Sequence, residues 1–241
     1  MNILVSGGTK GLGERICKKI LESNNKDKVL TFARKESESS KLLKQKYKKR
    51  FFFYEFDLSQ LNLIHKFTNT LLRKHGFIDG LINNAAIGAD GLLATMHEKD
   101  IKSSIDINIT SQIILTKFIS RNMIKMRSGS IINISSIVAN TGYSGLSVYA
   151  FSKAGQIGFT KSLAREMGKV GVRVNAILPG FMETEMTSKI KERDLEKIKN
   201  RSPFKELASV EDVSDLVLYL ISSKNKSITG ECITIDYGSS S

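Results

Sequence analysis

The chain has 241 residues, 41% of them hydrophobic and 25% charged, a balance ordinary for one large globular α/β domain. Its net charge of +13 is concentrated early: residues 1–75 carry 17 Lys/Arg against 7 Asp/Glu, the remainder 20 against 17. No apolar run reaches the roughly 20 residues needed to span a bilayer, and Met1-Asn2-Ile3-Leu4-Val5 enters a strand without a basic start or cleavage site, so a cytoplasmic protein is expected.

In chain order, Ile3–Ser6 reads as a strand, and Gly11 to about Ser23 as a helix with Leu12, Ile16, Ile20 and Leu21 on its apolar side. Val29–Ala33 is a second strand and Ser39 to Tyr47 a short basic helix. The cluster Lys41 to Arg50 reads as a solvated face, or a field for an acidic partner or a phosphorylated ligand. No nucleic-acid-binding motif accompanies it, so a nucleic-acid role would rest on charge alone. Phe51–Phe56 is a third strand, followed by a helix from about Gln60 to Lys74. Gly80–Asn83 is a fourth, and a long helix is expected from Glu98 to Met123. Ser130–Ser135 and Arg173–Leu178 are strands flanking a helix from Ser147 to Met167. Helices near Ser188–Asn200 and Val210–Ile221 precede a last strand at Glu231–Asp236.

Short apolar strands joined by helical crossovers predict a Rossmann-type α/β fold. Its form is a doubly wound parallel sheet of about seven strands with helices on both faces, in one domain spanning 1–241. Ligands then sit at the carboxyl ends of the strands. Cys17 and Cys232 lack metal-ligand spacing and read as buried thiols. His65, His75 and His97 show no mutual ligating pattern either, so no metal is expected.

Ser6-Gly7-Gly8-Thr9-Lys10-Gly11-Leu12-Gly13 joins the first strand to the first helix. Gly7, Gly11 and Gly13 allow positive φ and close backbone approach to a pyrophosphate, which the helix N-terminus attracts. NAD-binding folds place an acid at the end of the second strand. Here that strand runs Thr31-Phe32-Ala33-Arg34-Lys35, and Lys10 lies on the same side. A 2′-phosphate fits such a cluster, so NADP(H) is the expected cofactor. Asp57 and Leu58 are placed for adenine, and Asn83-Asn84-Ala85-Ala86 lets the backbone pass close to the cofactor.

Tyr149 and Lys153 are four positions apart, on one helix face, thirteen residues after Ser136 at a strand end. An ammonium beside a phenol is expected to lower its pKa from about 10 and fit it for acid–base work. The Ser136 hydroxyl is placed to hold a carbonyl beside it.

Together these residues resemble the short-chain dehydrogenase/reductase family over essentially the whole chain. The match runs through Gly7/Gly11/Gly13, Asn83-Asn84-Ala85, Asn108 in Asp106-Ile107-Asn108-Ile109-Thr110, Ser136/Tyr149/Lys153, and Pro179-Gly180-Phe181-Met182-Glu183-Thr184. The resemblance implies hydride transfer from NADPH to a carbonyl, with Tyr149 as proton donor. Lys153 would steady the phenolate and hold the ribose, Ser136 orient the oxygen, and Asn108 fix a water linking Lys153 to solvent. Pro179, Gly180, Met182 and Thr184 would contact the nicotinamide side.

Tyr149 to Met167 and Val174 to Thr187 are most similar to bacterial 3-oxoacyl-acyl carrier protein reductases. That implies a carrier-bound 3-oxoacyl substrate, docking of acyl carrier protein near Arg127 (the second basic position of the resemblance is Val170 here, with Lys169 beside it), a homodimer or homotetramer, and a substrate lid near 185–208. Three departures are Ala86, Lys205-Glu206 and Asp236-Tyr237-Gly238. A reductase of keto-sugars or other small ketones, and a catalytically silent nucleotide-sensing regulator, are the alternatives.

Overall fold

Short runs rich in Val, Ile, Leu and Phe, almost continuously buried in the central strands, form seven strands: β1 (Asn2–Ser6), β2 (Lys28–Ala33), β3 (Phe51–Glu55), β4 (Gly80–Asn83), β5 (Gly129–Ile134), β6 (Val172–Pro179) and β7 (Cys232–Ile235). They pair in parallel in the order β3-β2-β1-β4-β5-β6-β7. The structure is a computed structural model describing residues 1–184, 187 and 192–241. The strand order reverses between β1 and β4, the point where open α/β sheets bind ligands.

The helices described are α1 (Gly11–Ser23), α2 (Glu38–Tyr47), α3 (Ile64–His75), α4 (Glu98–Ile105), α5 (Ser111–Met126), α6 (Val138–Thr141), α7 (Ser147–Gly168), α8 (Glu192–Lys199) and α9 (Val210–Ile221). Strand side chains alternate between faces. Val5, Ile82, Ile132 and Ile177 pack on α1 and α9, whereas Leu4, Leu81, Ile131 and Val174 pack on α3, α5 and α7. Both faces are thus dry, as a parallel sheet requires.

Strand limits agree with the sequence expectation to within a residue, but three helices differ. The long helix from Glu98 is not continuous: a π turn over Asp106–Thr110 separates α4 from α5, which runs on to Met126. There Asn108 Nδ2 donates to the Ile87 carbonyl and its Oδ1 accepts from the Ile87 N–H, both at 2.9 Å, a double contact that holds the widened turn. The helix expected from Gln60 opens as a 3₁₀ turn at Leu61–Leu63. The short α6 had no periodic signal, being only a four-residue turn after β5. The expected helix at Ser188–Asn200 is described only as Glu192–Lys199, since 188–191 lie outside the described residues; so do 185 and 186 of the expected lid.

Candidate active site

The glycine turn is shaped by contacts that exclude side chains. Gly7 has φ +69°, and a Cβ there would stand 3.1 Å from Ala85 Cα. A Cβ on Gly13 would collide with the Gly7 carbonyl oxygen and meet Asn84 Nδ2 at 2.5 Å. Asn84 holds the turn from the other side, its Nδ2 donating to the carbonyls of Ser6 (2.9 Å) and Gly7 (3.2 Å). The N-cap residue of α1, Lys10, is extended and its side chain makes no capping hydrogen bond. The positive end of the helix therefore faces the cleft beside a backbone surface kept bare, a fit for a phosphate.

That cleft, of about 920 Å³, is lined by Gly7, Lys10, Gly11, Leu12, Gly13, Asn84, Ala85, Ser136, Tyr149, Lys153, Pro179, Gly180, Met182 and Thr184. Four of the cofactor-binding residues assigned from sequence lie outside this lining. Arg34 is exposed just past β2. Thr9 is buried, its carbonyl accepting from the Ser37 hydroxyl at 2.6 Å. Asp57 closes a turn by accepting from the Ser59 N–H at 2.9 Å. Leu58 packs its side chain into the core, leaving only its main chain for a ligand.

Ser136 follows β5, and its Oγ accepts from the Val138 N–H at 3.3 Å. Tyr149 and Lys153 lie one turn apart on α7. The Lys153 ammonium, 2% exposed, donates to the Ile134 carbonyl at 2.7 Å and sits 5.6 Å from the centre of the Tyr149 ring. Ser135 Oγ donates to the Lys153 carbonyl at 2.8 Å, pinning the helix to the strand end.

One sequence expectation is corrected here. The phenol of Tyr149 is not lowered but pushed up to about 12, by burial first and by the negative charge of Asp90 second. Burial also lowers Lys153 to about 7. Desolvation thus outweighs the amine's attraction, and an amine that is half neutral near pH 7 exerts only part of its field. Tyr149 is a protonated phenol throughout the working range, which suits a proton donor.

Asn108 does not line the cleft. Fully buried, its side chain is committed to Ile87 and to the hydroxyl of Ser152 at 3.2 Å. The side chain is spent on these bonds, and the main-chain carbonyl accepts from Gln156 Nε2 at 3.4 Å. On the far wall, Thr187 Oγ1 accepts from the Thr184 N–H (2.9 Å) and donates to the Met182 carbonyl (2.7 Å).

Asp90 and Tyr143 also line the cleft and were not singled out from sequence, whereas Ile198, Arg201 and Glu206, which line it too, fall in the segment 185–208 expected as a lid. Asp90 and Tyr143 come from two loops with no periodicity, so only their proximity to the Asn84 and Ser136 segments hinted at them. Among the described residues, no cluster of three His, Cys, Asp or Glu is placed to hold a metal, and no helix is long and apolar enough to cross a membrane.

A family profile described as short chain dehydrogenase matches residues 1–195. The 3-oxoacyl-[acyl-carrier-protein] reductase FabG of Buchnera aphidicola subsp. Baizongia pistaciae is 33% identical over 98% of this chain and 95% of its own. Carbonyl reductase family member 4 of Xenopus laevis is 35% identical over 97% of this chain and 95% of its own. The solved structure of ElxO with NADP bound superposes with a TM-score of 0.90 at 30% identity, covering 99% of this chain and 98% of that one.

Proposed function

This chain belongs to the short-chain dehydrogenase family, and we propose that it is an NADPH-dependent reductase converting the carbonyl of 3-oxoacyl groups on acyl carrier protein to a secondary alcohol. One observation carries the reading: a protonated Tyr149, with Lys153 a turn away, shares a cleft with a backbone cradle fit for a dinucleotide. The cofactor, when bound, supplies the hydride. Gly7, Thr9, Lys10, Gly11, Leu12 and Gly13 would hold its pyrophosphate side, Arg34 its 2′-phosphate, and Asp57 and Leu58 its adenine. Asn84, Ala85, Pro179, Gly180, Met182 and Thr184 would flank the nicotinamide. Ser136 orients the carbonyl oxygen, Tyr149 gives it a proton, and Lys153 steadies the resulting phenolate and grips the ribose. Asn108 acts through its main-chain carbonyl.

Exposed Ile113 on α5 and Phe151 on α7 favour a homodimer or homotetramer. The Arg127 guanidinium, held on the Lys169 carbonyl at 3.2 Å, is a candidate carrier contact. Segment 185–208 is the candidate lid, supported by Ile198 and Arg201 on the cleft and by Arg201 lying 5.2 Å over the Tyr143 ring. Unpaired Cys17 and Cys232 fit a cytoplasmic setting.

A reductase of keto-sugars or other small ketones is the second reading, favoured by Glu206 on the cleft wall, a carboxylate unsuited to an anionic carrier arm. Acetoacetyl thioesters should support NADPH oxidation at roughly 1–10³ s⁻¹, with keto-sugars at least about 100-fold lower in kcat/KM. Turnover of keto-sugars alone would move the assignment to the second reading.

Arg34→Asp should cut the preference for NADPH over NADH about 10- to 100-fold, the worth of a lost charge-assisted contact. An unchanged ratio of the two kcat/KM values would remove Arg34 from the phosphate site.

A further inference from the structure

Beneath the cleft, two segments carry polar residues at every fourth position: Asn108 in the π turn with Gln112 and Thr116 on α5, and Ser152, Gln156 and Thr160 on α7. That spacing puts each row on one helix face. All six are buried, the most exposed being Gln156 at 4%. They meet as three rungs. Asn108 Nδ2 donates to Ser152 Oγ at 3.2 Å, and Gln156 Nε2 to Gln112 Oε1 at 2.5 Å. The third rung passes through the sheet: Asn83 Nδ2 donates to Thr116 Oγ1 (2.9 Å) and Asn133 Oδ1 (2.8 Å), and Asn133 Nδ2 donates to Thr160 Oγ1 (2.8 Å).

The rungs reach the cleft at several points. Gln112 Nε2 donates to the Ala85 carbonyl at 2.7 Å, Asn108 clasps Ile87, and Ser152 Oγ donates to the Tyr149 carbonyl at 2.7 Å. Stability alone does not account for the ladder. Among the described residues Gln156 Oε1 and Asn83 Oδ1 are buried without a hydrogen-bond partner, and apolar groups of similar volume would avoid that desolvation. What a polar ladder adds is register, because a helix seated on apolar contacts slides at little cost while a hydrogen-bonded one does not.

We propose that the Gln112–Gln156 rung is a positioning pair that sets α7, and with it Tyr149 and Lys153, against the loop carrying Asn84 and Ala85. The proposal rests on the reductase reading above. Gln112→Leu and Gln156→Leu each strand the remaining amide and should lower Tm by about 5 °C. The double variant should melt above either single variant but short of the parent, because the Ala85 carbonyl still loses its Gln112 donor, with NADPH Kd and substrate KM within about two-fold, yet keep kcat at least about ten-fold down. A double variant with parental kcat would overturn the proposal, since packing would then suffice. Should the leucine pair not fold, Gln112→Met with Gln156→Met takes the same readout. If the parent reduces no carbonyl, the reductase reading fails on its own. Hydrogen exchange then decides the ladder: amides around Tyr149 should exchange about ten-fold faster in the double variant than in the parent, beyond any change in the amides of β1 and β2, and equal rates would overturn it.

Discussion

Tyr149→Phe should lower kcat by about 10³-fold or more while NADPH affinity stays within about two-fold. The ring and its packing remain, and only the hydroxyl is lost. General acids of this kind contribute roughly 10²–10⁴ to rate, and burial keeps this one protonated, with its pKa raised to about 12. Single-turnover NADPH oxidation and cofactor fluorescence separate the two effects. Retention of more than about a tenth of the parental rate would mean that the proton comes from another group. A protein acting only as a nucleotide sensor would bind NADPH with or without the hydroxyl and show no turnover in either form.

Lys153→Met has an opposed pair of effects. It should lower kcat by at least about 10²-fold, because no other described cation is placed one turn from the phenol to steady phenolate. It should also flatten the dependence of stability on pH. The buried amine has its pKa lowered from 10.5 to about 7. Between those values the unfolded chain binds a proton that the folded chain does not, so stability rises with pH across that window and is lowest below about 7. The span corresponds to a few kcal/mol, on the order of 1.4 per unit. Melting temperatures of the cofactor-free protein from pH 6 to 10 should climb in the parent relative to Lys153→Met, whose uncharged side chain has no such window. Parallel curves would show that the Ile134 carbonyl, 2.7 Å from the ammonium, is contact enough to keep it charged at its ordinary pKa.

The correction at Tyr149 marks where reading from sequence stops. Spacing of four residues brought phenol and amine to one helix face, and the structure has them there, 5.6 Å apart from nitrogen to ring centre. The sign of the pKa change depends on burial, and burial is summed over β5, the loop past β4 and α7 together. The same limit applies to Asn108. Its place in the chain was legible, but the use of its side chain on Ile87 follows from a π turn that no local propensity announces.

The glutamine rung shows the limit from another side. Gln112 and Gln156 lie 44 residues apart and match no motif, so nothing short of the packed helices pairs them. Arg34 and Asp57 illustrate the converse. Their strand-end positions were read correctly, yet they stand outside the main cleft, where an extended dinucleotide would have to reach them.

The order of apolar runs, glycines and helix-length segments determined by itself the parallel sheet, its seven strands and the end at which the cleft opens. Those features rest on period, turn chemistry and chirality, all local to a few residues. Tertiary structure alone decided protonation, the job of Asn108 and the buried ladder. Each depends on desolvation or on hydrogen bonds between elements distant in the chain, quantities that exist only once water has been excluded from between them.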